Sequence, residues 1–311
     1  MKKFKYDLYP VVEEISKNHD WINIRQIKKG WSNDKKYQVV DNSGNVFLLR
    51  ISPFSELERR KAEYKLINSL TGLKIPIPRA VKFGLCGEKK FVYMVITWVS
   101  GNDATKELPV LSKREQYNLG LQAGKILQAI HLKKQPMENE IWTERYTKKI
   151  HRIIDKYMNC PKKLSYGQKI IDFLTSNIYL LNDRDTTLQH GDYHIGSFVI
   201  DQNQQLGVID FNRSGIGDPW EEYDRFVFTW SLSSAFAVGQ VNAYFNGGVP
   251  DNFFKLMSLY NAANMLASIP WAIPFGNREI KKMIDNCDLV YNSYNGFTTY
   301  IPNWYDRKLQ F

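Results

Sequence analysis

The stretch 188–220, LQHGDYHIGSFVIDQNQQLGVIDFNRSGIGDPW, constrains this chain more than any other. It sets two β-prone runs, Phe198-Val199-Ile200 and Gly207-Val208-Ile209, on either side of a polar turn of hairpin length at 201–205. One carboxylate, Asp192, stands in the loop before the first run, and another, Asp210, follows the second. A hairpin of this length brings two such positions close together. Paired carboxylates at strand ends suit general-base work beside a divalent cation.

A chain of 311 residues has room for one large or two ordinary domains, each with its own core. Hydrophobic content of 43% with 24% charge is that of a folded globular protein and excludes a fibrous or disordered chain. The three cysteines, Cys86, Cys160 and Cys287, are odd in number and scattered, with no C-x-x-C pair. They read as reduced thiols in a cytoplasmic setting. MKKFKYDLYPVVEEI lacks the apolar core of a secretory signal. The apolar run 226–241 is interrupted by serines, a Gly and a Gln, and is expected to be one buried helix; no membrane contact follows from it.

Charge is uneven along the chain. Residues 1–98 hold 19 basic against 10 acidic side chains, whereas 210–311 hold 8 against 10. A basic front part suits an anion such as nucleotide phosphates. Most of its lysine pairs read as solvated strand ends, and no nucleic-acid partner is expected. Two histidines four apart, His190 and His194, raise the question of zinc. The glycines around them break the helix that would align the rings, and no H-E-x-x-H or cysteine partner is present.

In order, a short amphipathic helix over 4–19 precedes strands at 22–27, 37–40 and 46–51, a three-stranded antiparallel meander. A helix over 55–70 follows, with Ser55 and Glu58 as a capping box and Ala62, Leu66 and Leu70 as its apolar face. Strands at 80–85 and 91–98 complete a compact lobe, and Ser100-Gly101-Asn102-Asp103 is the first plausible linker. The period then turns helical. Ser112 and Glu115 form a second capping box, opening a helix whose Leu119, Ala123, Ile126 and Ile130 share a face. Further helices are expected over 144–158 and 166–181, and the remainder beyond 219 is mostly helical and aromatic-rich. No internal repeat is present.

A β-rich lobe, a linker and a helical lobe carrying an acidic hairpin match the plan of a two-lobed kinase. HGDYHIGS and VIDFNRSGIGDP resemble the catalytic and metal-binding loops of the aminoglycoside phosphotransferase/choline kinase-like family. KGWSNDKKYQV resembles that family's nucleotide loop, LLRIS its third strand and ITWVSG its interlobe hinge. The resemblance implies an α+β, protein kinase-like fold. Residues 1–98 would be a nucleotide-binding lobe, a small antiparallel sheet with one main helix, and 99–311 a larger, mostly helical catalytic and acceptor-binding lobe.

The same resemblance implies a phosphotransferase that moves the γ-phosphate of ATP or GTP, with Mg²⁺, to a hydroxyl of an aminoglycoside-like or other small polar acceptor; antibiotic resistance is an association of the family. Asp192 would be the catalytic base, and Asp210 the ligand of a Mg²⁺ bridging the β- and γ-phosphates. Arg50, paired with Glu63, would reach the α/β-phosphates. Gly30, Ser32 and Asn33 would lie over the phosphates, the backbone of Ile96, Thr97, Trp98 and Val99 would meet the purine edge, and Asp218 would buttress the metal loop. The sequence leaves the oligomeric state open.

One position departs from the family. Where it has an Asn that ligates metal and braces the catalytic loop, this chain has Ser197, a shorter and weaker partner. Either Ser197 reaches the metal through water, or Asn212 or another oxygen substitutes, or the second metal site is lost. A catalytically weak or inactive nucleotide-binding protein of the same fold is therefore the alternative. Glu221, Glu222 and Asp224, with Asp251, Asp285 and Asp288, would favour a cationic acceptor, and Trp220, Trp230, Trp271 and Trp304 an aromatic wall for it.

Overall fold

The computed structural model describes residues 8–28, 34–133 and 141–307. Residues up to Ser100, together with Gly207–Arg213, form one compact unit, and the rest of the chain forms a second.

In the first unit five antiparallel strands lie in the order β1-β2-β3-β5-β4: β1 Trp21–Ile27, β2 Lys35–Asp41, β3 Val46–Pro53, β4 Ala80–Cys86 and β5 Phe91–Thr97. The expected meander is its first three strands. Side chains alternate across a strand, and β3 uses both faces. Leu49 and Ile51 join the core under helix α1 (Tyr9–Ser16), with Val11, Val12, Ile15, Val39 and Val95. Arg50 and Ser52 point to the opposite face, where both contact side-chain partners on helix α2 (Leu57–Ser69).

Two expectations about α2 fail. A 3-10 turn over Phe54–Glu56 takes up Ser55, so the N-cap is Glu56 and no side chain caps the helix. The buried face is not Ala62 and Leu66 but Arg60, Glu63 and Ile67. A hydrophobic-period argument passes over a stripe whose buried members are charged.

The second unit opens at Gly101, whose φ is +144°; a Cβ there would lie 2.9 Å from the backbone of Ile200. Only glycine fits that approach. It leads into β6 (Asn102–Asp103), which pairs antiparallel with β8 (Phe198–Ile200). Helix α3 (Ala104–Glu107) follows, then α4 (Lys113–His131), α5 (Trp142–Met158) and α6 (Gly167–Asn177). Strand β7 (Thr187–Gln189) comes before β8, and β9 (Leu206–Val208) and β10 (Gly215–Gly217) after it, with β10 pairing to β7. The apolar run 226–241 is two helices, α7 (Val227–Trp230) and α8 (Ser234–Tyr244). Ser233 breaks it in an extended conformation and caps α8 through the Phe236 N–H. Helices α9 (Asp251–Ala272) and α10 (Asn277–Ser293) follow. Among the described residues no helix is long and apolar enough to cross a membrane.

The capping box on α4 forms as the sequence suggests, Glu115 N–H donating to Ser112 Oγ and Ser112 N–H to Glu115 Oε2 at 2.8 Å. Leu119, Ala123, Ile126 and Ile130 are all buried on this helix. Behind them α4 meets α8 with almost no side-chain spacing. A Cβ on Gly124 would fall 2.3 Å from the carbonyl oxygen of Gln240, and one on Gly120 2.1 Å from that of Phe236.

Gly124→Ala is expected to lower stability by about 1–3 kcal/mol through overpacking against backbone. Gly248→Ala, where a Cβ meets nothing nearer than 3.7 Å, should be near neutral, and equal urea midpoints for the two variants would contradict the close crossing. Hydrogen bonds from the Ser112 hydroxyl, then Gln204, then the Ser112 backbone hold the Glu115 carboxyl down to about 2. A depressed acid contributes stability above its unfolded pKa and loses it as pH falls through the folded one. Glu115→Gln should therefore flatten the fall of denaturation midpoint between pH 4.5 and about 2; an unchanged acid limb would show that the box carries no such stability.

Candidate active site

In the first unit Arg50 lies opposite Lys36 on β2 and Met94 on β5, with only 3% of its side chain exposed. Its Nη1 donates to Glu63 Oε1 at 2.6 Å and its Nη2 to Asp210 Oδ1 at 3.4 Å, while Nε faces Asp34 Oδ2 at 3.8 Å. The other oxygen of Glu63 receives Arg60 Nη1 at 2.6 Å. Arg60, three residues before Glu63 on the same helix face, also donates to Asp34 at 2.8 Å and to Ser52 Oγ at 3.1 Å. Ser52 in turn donates to the second Asp34 oxygen at 2.8 Å.

Charges this deeply buried persist only when paired and hydrogen-bonded. Burial alone would lower the pKa of Arg50, but the carboxylates of Glu63, Asp210 and Asp34 together raise it above its ordinary value. The guanidinium is thus charged at every working pH. Burial dominates at the neighbouring Lys36, whose pKa is pushed down even though Asp210 works against the shift.

Asp210 stands at a backbone φ of +69°, the left-handed region that a side chain makes costly. The 3-10 turn Phe211–Arg213 after it is tied to α2 by Arg59, whose Nη2 donates to the Asn212 carbonyl at 3.1 Å. A third of the Asp210 side chain is exposed. Two residues on, the amide oxygen of Asn212 is buried with no hydrogen-bond partner among the described residues. A carboxylate and an unmet amide oxygen are the hard donors that Mg²⁺ takes. Among the described residues there is no group of three or more His, Cys, Asp or Glu able to hold a metal by themselves. The fit is to an ion that completes its shell with phosphate and water, not to a protein-only cage.

The nucleotide-loop positions Gly30, Ser32 and Asn33 lie outside the described residues, but Asp34, which follows them, is locked into the arginine network. At the end of β5 Thr97 N–H donates to Arg79 O at 2.9 Å and Trp98 N–H to Val46 O at 3.0 Å. Ile96 pairs with Leu48 and Ala80. The sheet therefore uses these two N–H groups itself.

In the second unit β7 delivers His190, which is fully buried. His190 Nδ1 accepts the Asp192 N–H at 3.2 Å, and His194 Nδ1 accepts the Gly196 N–H at 3.1 Å. His194 Nε2 lies 3.4 Å from Asp192 Oδ1. Tyr193, buried, anchors the loop from below by donating to the Ala123 carbonyl on α4 at 2.7 Å. Ser197 is buried, and its hydroxyl donates to the Asp192 carbonyl at 2.8 Å. It braces the loop, and only a lone pair of its oxygen is left for a metal.

The carboxylates after the metal loop serve this structure instead of facing outward. Glu222, buried, accepts the N–H groups of His190 and Gly191, the latter at 3.0 Å to Oε2. Glu221 pairs with Lys149 and accepts from Gln189 at 3.1 Å. Burial raises the pKa of Asp224, against the pull of Arg225 and Lys149. Asp218, fully buried, is gripped by Arg184 and accepts the Trp220 N–H at 2.7 Å. The four tryptophans do not form one wall: Trp230 and Trp304 stack on each other, Trp220 packs on Phe245 and Phe253, and Trp271 on Phe275.

Sequence reasoning passed over Asp34, Arg60 and Arg225. Arg225 donates to Asp192 Oδ1 at 2.8 Å and to the Gly191 carbonyl at 3.1 Å. Its one signal was that it is the lone cation after three carboxylates in 221–224. Arg60 offered only its spacing to Glu63.

Arg60→Met would leave the Glu63 and Asp34 carboxylates short of a partner. A loss of about 3–5 kcal/mol in urea unfolding is expected, as for other broken buried pairs, with only partial recovery in Arg60→Lys, which lacks the two-armed fork. An unchanged midpoint would mean that Arg60 does not compensate these charges.

A family model described as "Phosphotransferase enzyme family" matches residues 23–253. An aminoglycoside 3'-phosphotransferase of Niallia circulans is 23% identical over 201 residues, spanning 63% of this chain and 74% of that one. Among solved structures, a thermostable mutant of aminoglycoside phosphotransferase APH(4)-Ia, a ternary complex with ADP and hygromycin B, superposes with a TM-score of 0.65 at 16% identity, over 90% of this chain and 97% of that one. Amicoumacin kinase hAmiN, in complex with AMP-PNP, Ca²⁺ and Ami, gives a TM-score of 0.69 at 13% identity, over 97% and 96%. With its kinase-like α+β fold, its HGD loop and the arginine–glutamate pair behind its Asp210, the chain belongs to the aminoglycoside phosphotransferase-type phosphotransferase enzyme family.

Proposed function

We propose that the protein moves the γ-phosphoryl group of ATP or GTP to a hydroxyl of a small polar acceptor, aminoglycoside-like in kind. The reading rests above all on the buried link from Glu63 through Arg50 to Asp210. It puts a permanently charged guanidinium and a partly exposed carboxylate in one network, as phosphate binding beside a divalent ion requires. Arg50 binds the α/β-phosphates. Gly30, Ser32 and Asn33 close over the phosphates ahead of the anchored Asp34. The purine edge is met by backbone groups of Ile96–Val99 other than the Thr97 and Trp98 N–H. Asp210, helped by Asn212, holds Mg²⁺, which offsets charge on the transferring group. Asp192 orients the acceptor hydroxyl and takes its proton as the new P–O bond forms, while the nucleoside diphosphate leaves with the electron pair of the broken one.

The acceptor stays at the level of class. The buried and paired state of Glu222 and Asp218 removes them as amine ligands.

The second reading, a weak or inactive nucleotide-binding protein, rests on Ser197. One experiment separates the two. The protein is incubated with γ-labelled ATP and GTP in parallel, with Mg²⁺ and a panel of aminoglycosides, macrolides, choline-like amines and small sugars. Transfer to at least one acceptor is expected, reduced on the order of 10²–10⁴-fold in Asp192→Ala while nucleotide binding persists. Nucleotide binding without transfer to any acceptor would favour the second reading.

A further inference from the structure

Glu222, Ser197 and Arg225 each hold part of the consecutive residues 190–192, each by a different group. Glu222 takes the N–H groups of His190 and Gly191, and Ser197 takes the carbonyl of Asp192. These contacts fix backbone. Arg225 alone of the three reaches from backbone to the reacting side chain, since the same Nη1 donates to the Gly191 carbonyl at 3.1 Å and to Asp192 Oδ1 at 2.8 Å. Glu222 and Arg225 are three residues apart in one segment, so a single short stretch sets both the course of the loop and the direction of its carboxylate.

We infer that Arg225 is a positioning residue for Asp192: it fixes the orientation of the base through a charge-assisted hydrogen bond to Oδ1. The inference rests on Asp192 being the base, as proposed above. A carboxylate is otherwise free to turn about its own side-chain bonds, and a base is useful only within a narrow range of directions. With 18% of the Asp192 side chain exposed, the carboxylate is not sealed in the core, and a directed donor to Oδ1 restricts its rotation. Arg225 is itself held. Three-quarters of its side chain is buried, and its Nη2 faces Asp224 at 3.9 Å. Burial works against its charge, but Asp224 and then Asp192 raise its pKa above the ordinary value, so the donor is always present. Charge-assisted bonds of this kind are the strongest available to a carboxylate short of a metal. Ser197 already spends its proton on the loop backbone, so the directed donor to Asp192 Oδ1 is Arg225, nearer than His194 at 3.4 Å.

The competing role is purely structural, neutralising the half-buried Asp224. The test must therefore read more than activity. Full-length Arg225→Met and Arg225→Lys are compared with the parent for kcat and KM at varied ATP and acceptor, for AMP-PNP affinity by calorimetry, and for thermal midpoint. Asp192→Asn and the double variant D192N/R225M are measured beside them. Arg225→Met should lower kcat on the order of 10- to 100-fold, as misplacement of a catalytic group does, with nucleotide affinity unchanged. Arg225→Lys should recover part of the loss, because one ammonium can still donate to both oxygens. In the Asp192→Asn background the Arg225→Met change should have no further effect on kcat, since a residue acting through another is not additive with it.

Parent-like kcat in Arg225→Met overturns the inference. So does a kcat loss that tracks the thermal midpoint, or one that adds in full to that of Asp192→Asn. Should Arg225→Met fail to fold, the Lys variant decides: lowered kcat at an unchanged midpoint supports the inference, and parent-like kcat overturns it. An active Asp192→Asn would instead sink the reading of Asp192 as base. Loss in Asp192→Asn with none in Arg225→Met removes the positioning role alone.

Discussion

Glu63 is a carboxylate shared between two guanidinium groups, and the first unit of this protein depends on that sharing. One oxygen receives Arg50 and the other Arg60, both at 2.6 Å. A buried carboxylate so engaged cannot rotate without stranding an arginine, so strand β3 and helix α2 are held in register by charge as well as by apolar contact. The chain departs in this from the usual amphipathic helix, whose buried stripe is hydrophobic. Here Ile67 and Leu70 supply the apolar part of the buried face, and two ionised residues the rest.

The second unit solves a related problem with the sign reversed. Its loop exposes backbone donors that need an acceptor, and the carboxylate of Glu222 meets two of them. Asp218, held by Arg184, fixes the same segment one turn earlier. Of the acidic residues that look in sequence like a negatively charged surface, Glu221, Glu222 and Asp224 are internal fixtures, whereas Asp251, Asp285 and Asp288 are exposed. The inward ones meet N–H groups and cations that a tightly turned loop leaves to be satisfied.

Much of the fold was legible because it is written in local patterns. The meander of β1 to β3, the capping box of Ser112 and Glu115, and the four-residue stripe on α4 each follow from period or turn chemistry. The family was legible because HGDYHIGS and VIDFNRSGIGDP are specific in both content and spacing. What escaped had no local signature. Arg60 and Asp34 meet across 26 residues, and Arg225 and Asp192 across 33. Partners that far apart in sequence cannot be matched without the tertiary fold. The run 226–241 escaped for a different reason: its hydrophobicity is continuous, and only the extended backbone of Ser233 divides it. Ser55 shows the limit of motifs at short range, because a 3-10 turn took the residue before it could cap.

The left-handed backbone of Asp210 has a consequence for how such a protein changes over generations. At that φ a glycine is relaxed and an aspartate is strained, so the substitution most favourable to the backbone is the one that removes the carboxylate. Selection for thermal robustness and selection for chemistry therefore pull this single position in opposite directions. A lineage released from the need for turnover would be free to drift toward the relaxed residue there.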